Sequence, residues 1–286
     1  IDGAYAFRAL AIEATPSTSA TAGAAATQRV WVGAVGAIGH FDRDATGTWR
    51  FTSLRDRVTA AGLTHPGDVW FVHPAGAGAV FVTSQHVLRW DGARFEIWRL
   101  PATPRLQAFA GGGARVWLFQ HGVGLLRLDP GLPPQLARTA GNLPPAPMVW
   151  ALESPAAAAS PDGMLVGTTD GVARLTTTGY APLPELSAAV RGNFPTSAVA
   201  LGGDAVAVGT FKAGLIVATR GGAITARINS VSGLADDSIN ALTRAPHGAL
   251  WIGLGNGLAR VAGLGVASVF DRRLGLGLGV PRKVVQ

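Results

Sequence analysis

The side chains in this sequence that could do chemistry are few and scattered. His86 and His121 each follow a glutamine, as Gln85-His86 and Gln120-His121, and Asp170 sits in a polar turn. These are the donor types of a transition-metal site. Their spacing argues against one, because no H-x-H or H-E-x-x-H pattern groups them. No G-x-S-x-G elbow and no Ser-His-Asp spacing offers a nucleophile. Asp236 and Asp237 are adjacent in a connecting stretch and read as turn formers. The chain has no cysteine, which excludes disulfides, thiolate zinc sites and cysteine nucleophiles. The sequence therefore reads as non-catalytic, with no metal and no cofactor.

Recognition chemistry remains. Trp70 and Trp150 could stack on a sugar ring or another flat ligand. Arg8, Lys212, His86 and His121 suit an anionic one. Gln107, Asn240, Asn256 and Asp170 add hydrogen-bonding groups. These ten residues form the candidate site for a small molecule or oligosaccharide. The plainer alternative is that the turn residues are simply solvated and both tryptophans are core.

Composition sets the frame that must hold them. Only 14% of the 286 residues are charged, while Gly supplies 39 positions and Pro 18. Such a chain needs many tight turns between short apolar runs, which suggests an all-β architecture. The net charge of +7 is spread along the chain, with no basic run longer than Arg272-Arg273. Nucleic-acid binders cluster their cations, so no nucleic-acid partner is expected. The longest apolar stretch, 198–218, is broken by Asp204, Lys212 and several glycines, so it is not a membrane helix. The first residues read as mature domain sequence rather than a leader.

One unit recurs about every 44 residues. Its centre is an apolar pair followed by Gly or another turn residue. The copies are Trp31-Val32-Gly33, Phe81-Val82-Thr83, Trp117-Leu118-Phe119, Leu165-Val166-Gly167, Ala207-Val208-Gly209 and Trp251-Ile252-Gly253. Another apolar run precedes each copy, such as Val149-Trp150-Ala151-Leu152 or Ile239-Asn240-Ala241-Leu242. These two are strands A and B of a hairpin. A short turn and two further strands, C and D, follow. Four antiparallel strands at this period define a β-propeller blade.

The expectation is a single β-propeller domain over 1–286, with six to seven four-stranded blades. Gly277–Gln286 would begin the seventh, as in a segment of a longer chain. The Ala- and Ser-rich stretches Thr15–Thr27 and Pro155–Ser160 read as surface insertions in A–B turns. Trp251 is expected to be a large anchor between blades. The second residue of strand A varies and is often polar, as at Arg8, Trp70, Gln107, Trp150 and Asn240. Variation on a rigid repeat is what a binding surface would show.

The segment 233–242, followed by Gly248-Ala249-Leu250-Trp251-Ile252-Gly253 and Gly257-Leu258-Ala259-Arg260, resembles the two-component regulator propeller repeat. A second copy runs from Gly141-Asn142-Leu143-Pro144 through Asp162-Gly163 and Val166-Gly167-Thr168 to Gly171-Val172-Ala173-Arg174. A third opens at Gly192-Asn193-Phe194-Pro195. The second half of the chain carries the likeness best, and Thr83 and Phe119 stand where the pattern has Gly.

The resemblance implies a periplasmic sensor module of an inner-membrane receptor, homodimeric when intact. A histidine kinase or diguanylate cyclase output would lie outside this chain, and only such segments would touch the membrane. A protein-binding scaffold and a propeller lyase or hydrolase are the alternatives. The first predicts an exposed apolar patch on one face. The second predicts clustered titratable groups.

Overall fold

Alternation along each strand B explains how this chain folds. Val206 and Val208 of blade 5 join a core with Trp150, Leu165 and Leu186 of blade 4. Ala207, between them, joins Ile239, Leu250 and Ile252 of blade 6. Successive side chains on a strand point to opposite faces, so one strand feeds two cores. Both faces of the sheet are then covered, and strand B reads as a continuous apolar run. Every residue of Gly78–Thr83, Val116–Gln120 and Leu165–Thr168 is buried.

The computed structural model describes residues 7–13, 29–44, 46–101, 106–155, 160–245, 248–262 and 265–270. They form six four-stranded antiparallel sheets, each in the strand order A-B-C-D. This is a six-blade β-propeller, with blades at 7–53, 69–99, 106–139, 148–182, 195–228 and 239–270. The count is six rather than six to seven. The expected start of a seventh, 277–286, lies outside the described residues, as does nearly all of the two surface insertions. No helix among the described residues is long and apolar enough to cross a membrane. Contacts gather the chain into two compact units. One holds blades 1 and 2, the other holds blades 4 to 6, and blade 3 contributes to both.

In the first unit, Trp31 is fully buried. Its ring meets His40 edge-on at 5.0 Å and Phe81 at 6.0 Å, and its Nε1 donates to Glu13 Oε2 at 3.2 Å. Trp251, its counterpart in blade 6, is half-buried. In the second unit a short helix, Pro184–Val190, starts with Pro at its first turn. Its buried Ser187 clips it to strand C of blade 4: the hydroxyl accepts from Val172 N and donates to Val172 O, both at 3.0 Å.

Strand pairing corrects the alignment of the repeats. Gly33, Gly167, Gly209 and Gly253 face Ala9, Trp150, Ser197 and Ala241 across the A–B ladder. In blade 2 the residue in that place, facing Phe71, is Val82. Thr83 instead aligns with Thr168 and Thr210, one residue further on. The glycine has a packing reason. A Cβ on Gly33 would lie 2.3 Å from Val69 Cγ1, and one on Gly209 would lie 2.6 Å from Ile239 Cγ2. Val69 and Ile239 are the first residues of the next blade's strand A. The glycine lets the next blade close on strand B.

Candidate functional site

The end of the blade where strand A begins and strand B ends is built in a recurrent way. Strand A carries a register slip at the same place in five blades. The ladder skips Arg8, Trp70, Val149, Thr196 and Asn240. Each is a β-bulge, which turns one side chain away from the regular alternation. In blades 2, 4 and 5 strand B then ends on a buried threonine that organises the B–C turn. Thr168 Oγ1 accepts from Asp170 N and Gly171 N and donates to Gly171 O. Thr83 does the same for Gln85, His86 and the His86 carbonyl. Thr210 accepts from Ala213 N and donates to Gly214 O.

Backbone hydrogen bonds then tie these turns to the connectors that lead into strand A. Gly36 N donates to Gly67 O at 3.2 Å in the first unit. In the second unit Thr169 N donates to Pro147 O, Gly214 N to Asp237 O and Gly255 N to Ser238 O. Turns and connectors therefore form one surface within each unit.

The ten candidate residues divide between the units. Arg8, Trp70, His86 and Gln107 belong to the first, and His121, Trp150, Asp170, Lys212, Asn240 and Asn256 to the second. Arg8, Trp70 and Asn240 occupy bulges. Trp70 is half exposed and Gln107 is exposed. His121, Asp170, Lys212 and Asn256 are exposed in B–C turns. His86 is half-buried, and burial, then the Arg99 charge, lowers its pKa.

Trp150 is the correction. It lies one residue past its bulge, at the place of Ala9 and Ala241, and Val149 takes the bulge. It is 4% exposed, and its indole fills the space over Gly167, whose added Cβ would lie 2.0 Å from Trp150 Cε2. It is a core residue here and not a stacking platform.

Among the described residues no three His, Asp or Glu side chains come together as a metal site. Asp236 Oδ1 accepts from Ser238 N, and Asp237 accepts from Ser230 N and Oγ. Both carboxylates shape the connector into blade 6.

Three residues escaped the sequence reading. Phe194 and Phe211 are about half exposed, and Lys212 Nζ sits 4.8 Å over the Phe194 ring. Phe194 has φ +52°, and it is the one non-glycine residue with positive φ among those described. Such a conformation costs roughly 1–3 kcal/mol and is usual only for Gly or Asn. Phe211 N donates to the carbonyls of Asn193 and Phe194, which holds the strained segment against the B–C turn. Beside it, Arg191 Nε reaches the Asp170 carbonyl at 3.4 Å. Arg191 also borders a groove of about 170 Å³ with Pro144, Pro145, Ala146, Asp170 and Pro182. The one sequence signal was Phe in place of Leu within an otherwise repeated Gly-Asn-x-Pro.

Comparison with known proteins places the fold. The extracellular domain of a hybrid two-component system of B. thetaiotaomicron superposes with a TM-score of 0.63 at 18% identity. The match covers 89% of this chain and 34% of that one. This chain is similar in fold to that extracellular domain. It spans about a third of that domain's length. A protein of unknown function from Bacteroides caccae matches at 0.58 and 13% identity, over 91% of this chain and 98% of its own. The WD40 β-propeller domain of Doa1 matches at 0.61 and 10% identity, over 94% and 83%. At such identities the likeness is one of fold. No protein-family model and no curated protein matches the chain.

Proposed function

We propose that this propeller is the extracytoplasmic ligand-sensing module of a membrane-bound two-component receptor, whose output domain lies outside the chain. The observation that carries this reading is the recurrent bulge. Five blades share one backbone device at one end of strand A, and its residues are Arg, Trp, Val, Thr and Asn in turn. A purely structural device would call for one residue type. A recognition surface calls for different ones on a common frame. The likeness to the extracellular domain of a hybrid two-component system points the same way.

The ligand in this reading is a small molecule or oligosaccharide. It touches Trp70 in one unit, or Asn240 with the exposed turn residues Asp170, Lys212 and Asn256 in the other. The test uses the intact receptor and a reporter of its output. Trp70→Ala, with the ligand in the first unit, or Asn240→Ala, with it in the second, is expected to raise the inducer concentration for half-maximal response by roughly tenfold or more, as loss of a contact worth about 1.4 kcal/mol would. Normal induction in both variants would overturn this placement of the ligand.

A further inference from the structure

The connectors into strand A share an apolar residue that the fold normally tucks away. Leu143 is 3% exposed and Leu234 is 4% exposed. Leu63, in the connector into blade 2, packs against the first unit's core. In the connector into blade 5 that place, five residues before strand A, is held by the fully buried Val190; Phe194, immediately before the strand, is a further apolar residue. It stands 55% exposed on a left-handed backbone, with Phe211 49% exposed next to it. Exposure of two phenylalanines and strain at one of them are both unfavourable for the isolated chain.

We propose that Arg191, Phe194, Phe211 and Lys212 form a docking site for an acidic protein segment that carries an apolar side chain. Charge is the first argument. Neither Arg191 nor Lys212 makes an ion pair among the described residues. The acids of the next connector, Asp236 and Asp237, are engaged by backbone N–H groups. Asp170, whose carboxylate accepts from the Thr169 hydroxyl, is the one acid in the groove beside Arg191. On a chain of net charge +7, an acidic partner is the complementary one.

Lining chemistry is the second argument. Half of the groove's lining is proline, alanine and valine, and two of its three hydroxyls are already used, the third being that of Tyr180. Thr168 serves its own turn, and Ser187 serves Val172. An oligosaccharide needs many hydroxyl partners and would find few. A leucine or aromatic side chain flanked by carboxylates would find both an apolar seat and two cations. The site shares Lys212 and Asp170 with the second-unit placement of the sensed ligand, but its test needs neither a receptor nor an inducer, so the two readings fail separately.

The test is selection of a random peptide library, displayed on phage, against the immobilised full chain. A subtraction step uses the double variant Phe194→Gly, Lys212→Glu. Enriched peptides are expected to join Asp or Glu to Leu, Phe or Trp. A synthetic peptide of that sequence should bind either single variant roughly tenfold more weakly by fluorescence anisotropy, and should weaken with added salt. Gly accepts the left-handed backbone, so Phe194→Gly should melt at or above the wild-type temperature. Loss of binding in that variant then cannot be loss of fold. Peptides without acidic-apolar enrichment, or peptides that bind the variants as well as wild type, would overturn the proposal. So would Lys212-dependent binding of an oligogalacturonate with no peptide selected, because the occupant would then be an acidic sugar.

Discussion

At the scale of single residues, Trp31 and His40 make a testable pair. Trp31 fills the core between blades 1 and 2 with its Nε1 on Glu13. Trp31→Ala is expected to cost about 3–5 kcal/mol in urea unfolding, and Trp31→Phe clearly less. His40 is 7% exposed, with Nδ1 3.2 Å from Asp42 Oδ2. Burial, and then the Arg29 guanidinium, lowers its pKa despite Asp42. Below the unfolded value of about 6.5 the unfolded chain binds this proton and the native chain does not. Stability is therefore full above that pH and falls as the pH drops toward the lowered native pKa. His40→Gln should flatten the slope of stability against pH in that window, and an unchanged slope would contradict the assignment. Residue types alone could not reveal Phe194. Gly-Asn-Leu-Pro and Gly-Asn-Phe-Pro look alike in sequence, yet Leu143 turns in and Phe194 turns out.

At the scale of the strand and its turns, the glycine of strand B carries a prediction with its own control. Gly209→Ala would drive a methyl into Ile239 and should cost roughly 1–3 kcal/mol, as overpacking does. Gly141 has nothing within 4 Å of an added Cβ and its φ is not positive. Gly141→Ala should leave the melting temperature unchanged or raise it slightly. Equal losses at both sites would show that the close approach is not what selects glycine. Strands A to D and their order were legible in the sequence, because apolar runs and turn residues mark them directly. The register within a blade was not. A bulge adds one residue without any residue type of its own, so Trp150 looked like the equivalent of Trp70 and Asn240, and Thr83 looked like a missing glycine. Hydrogen-bond pairing resolves both.

At the scale of the molecule, successive blades are joined by arginines as well as by apolar cores. Arg138, on strand D of blade 3, donates to Asp162 Oδ1 and to the Thr176 carbonyl of blade 4, each at 2.5 Å. Arg174 of blade 4 likewise donates to the Arg220 carbonyl of blade 5 at 2.6 Å. Asp162, followed directly by Gly163 in the A–B turn of blade 4, has a structural use here as an acceptor for the preceding blade. The Arg138 side chain is buried while Asp162 is partly solvated. Arg138→Ala is accordingly expected to cost about 2–3 kcal/mol, below the full range for a buried pair, and to lower the thermal midpoint. A midpoint within error of wild type would mean that the cores alone hold these blades together. Function is less visible than fold at this scale, because a likeness at 10–18% identity is one of frame alone.

The bulge in strand A has a consequence for how such a protein can change. A side chain skipped by the ladder register is set apart from the pairs that fix the alignment of the two strands. Replacing it alters the surface with little effect on the rest of the blade. Such positions on a common frame amount to settings that selection can adjust one at a time, Val149 excepted because it packs against the core. Residues facing strand B have no such latitude, as Gly33 and Gly209 illustrate. A lineage of these propellers could therefore acquire new specificities by single substitutions at the bulges, while its stability drifted very little.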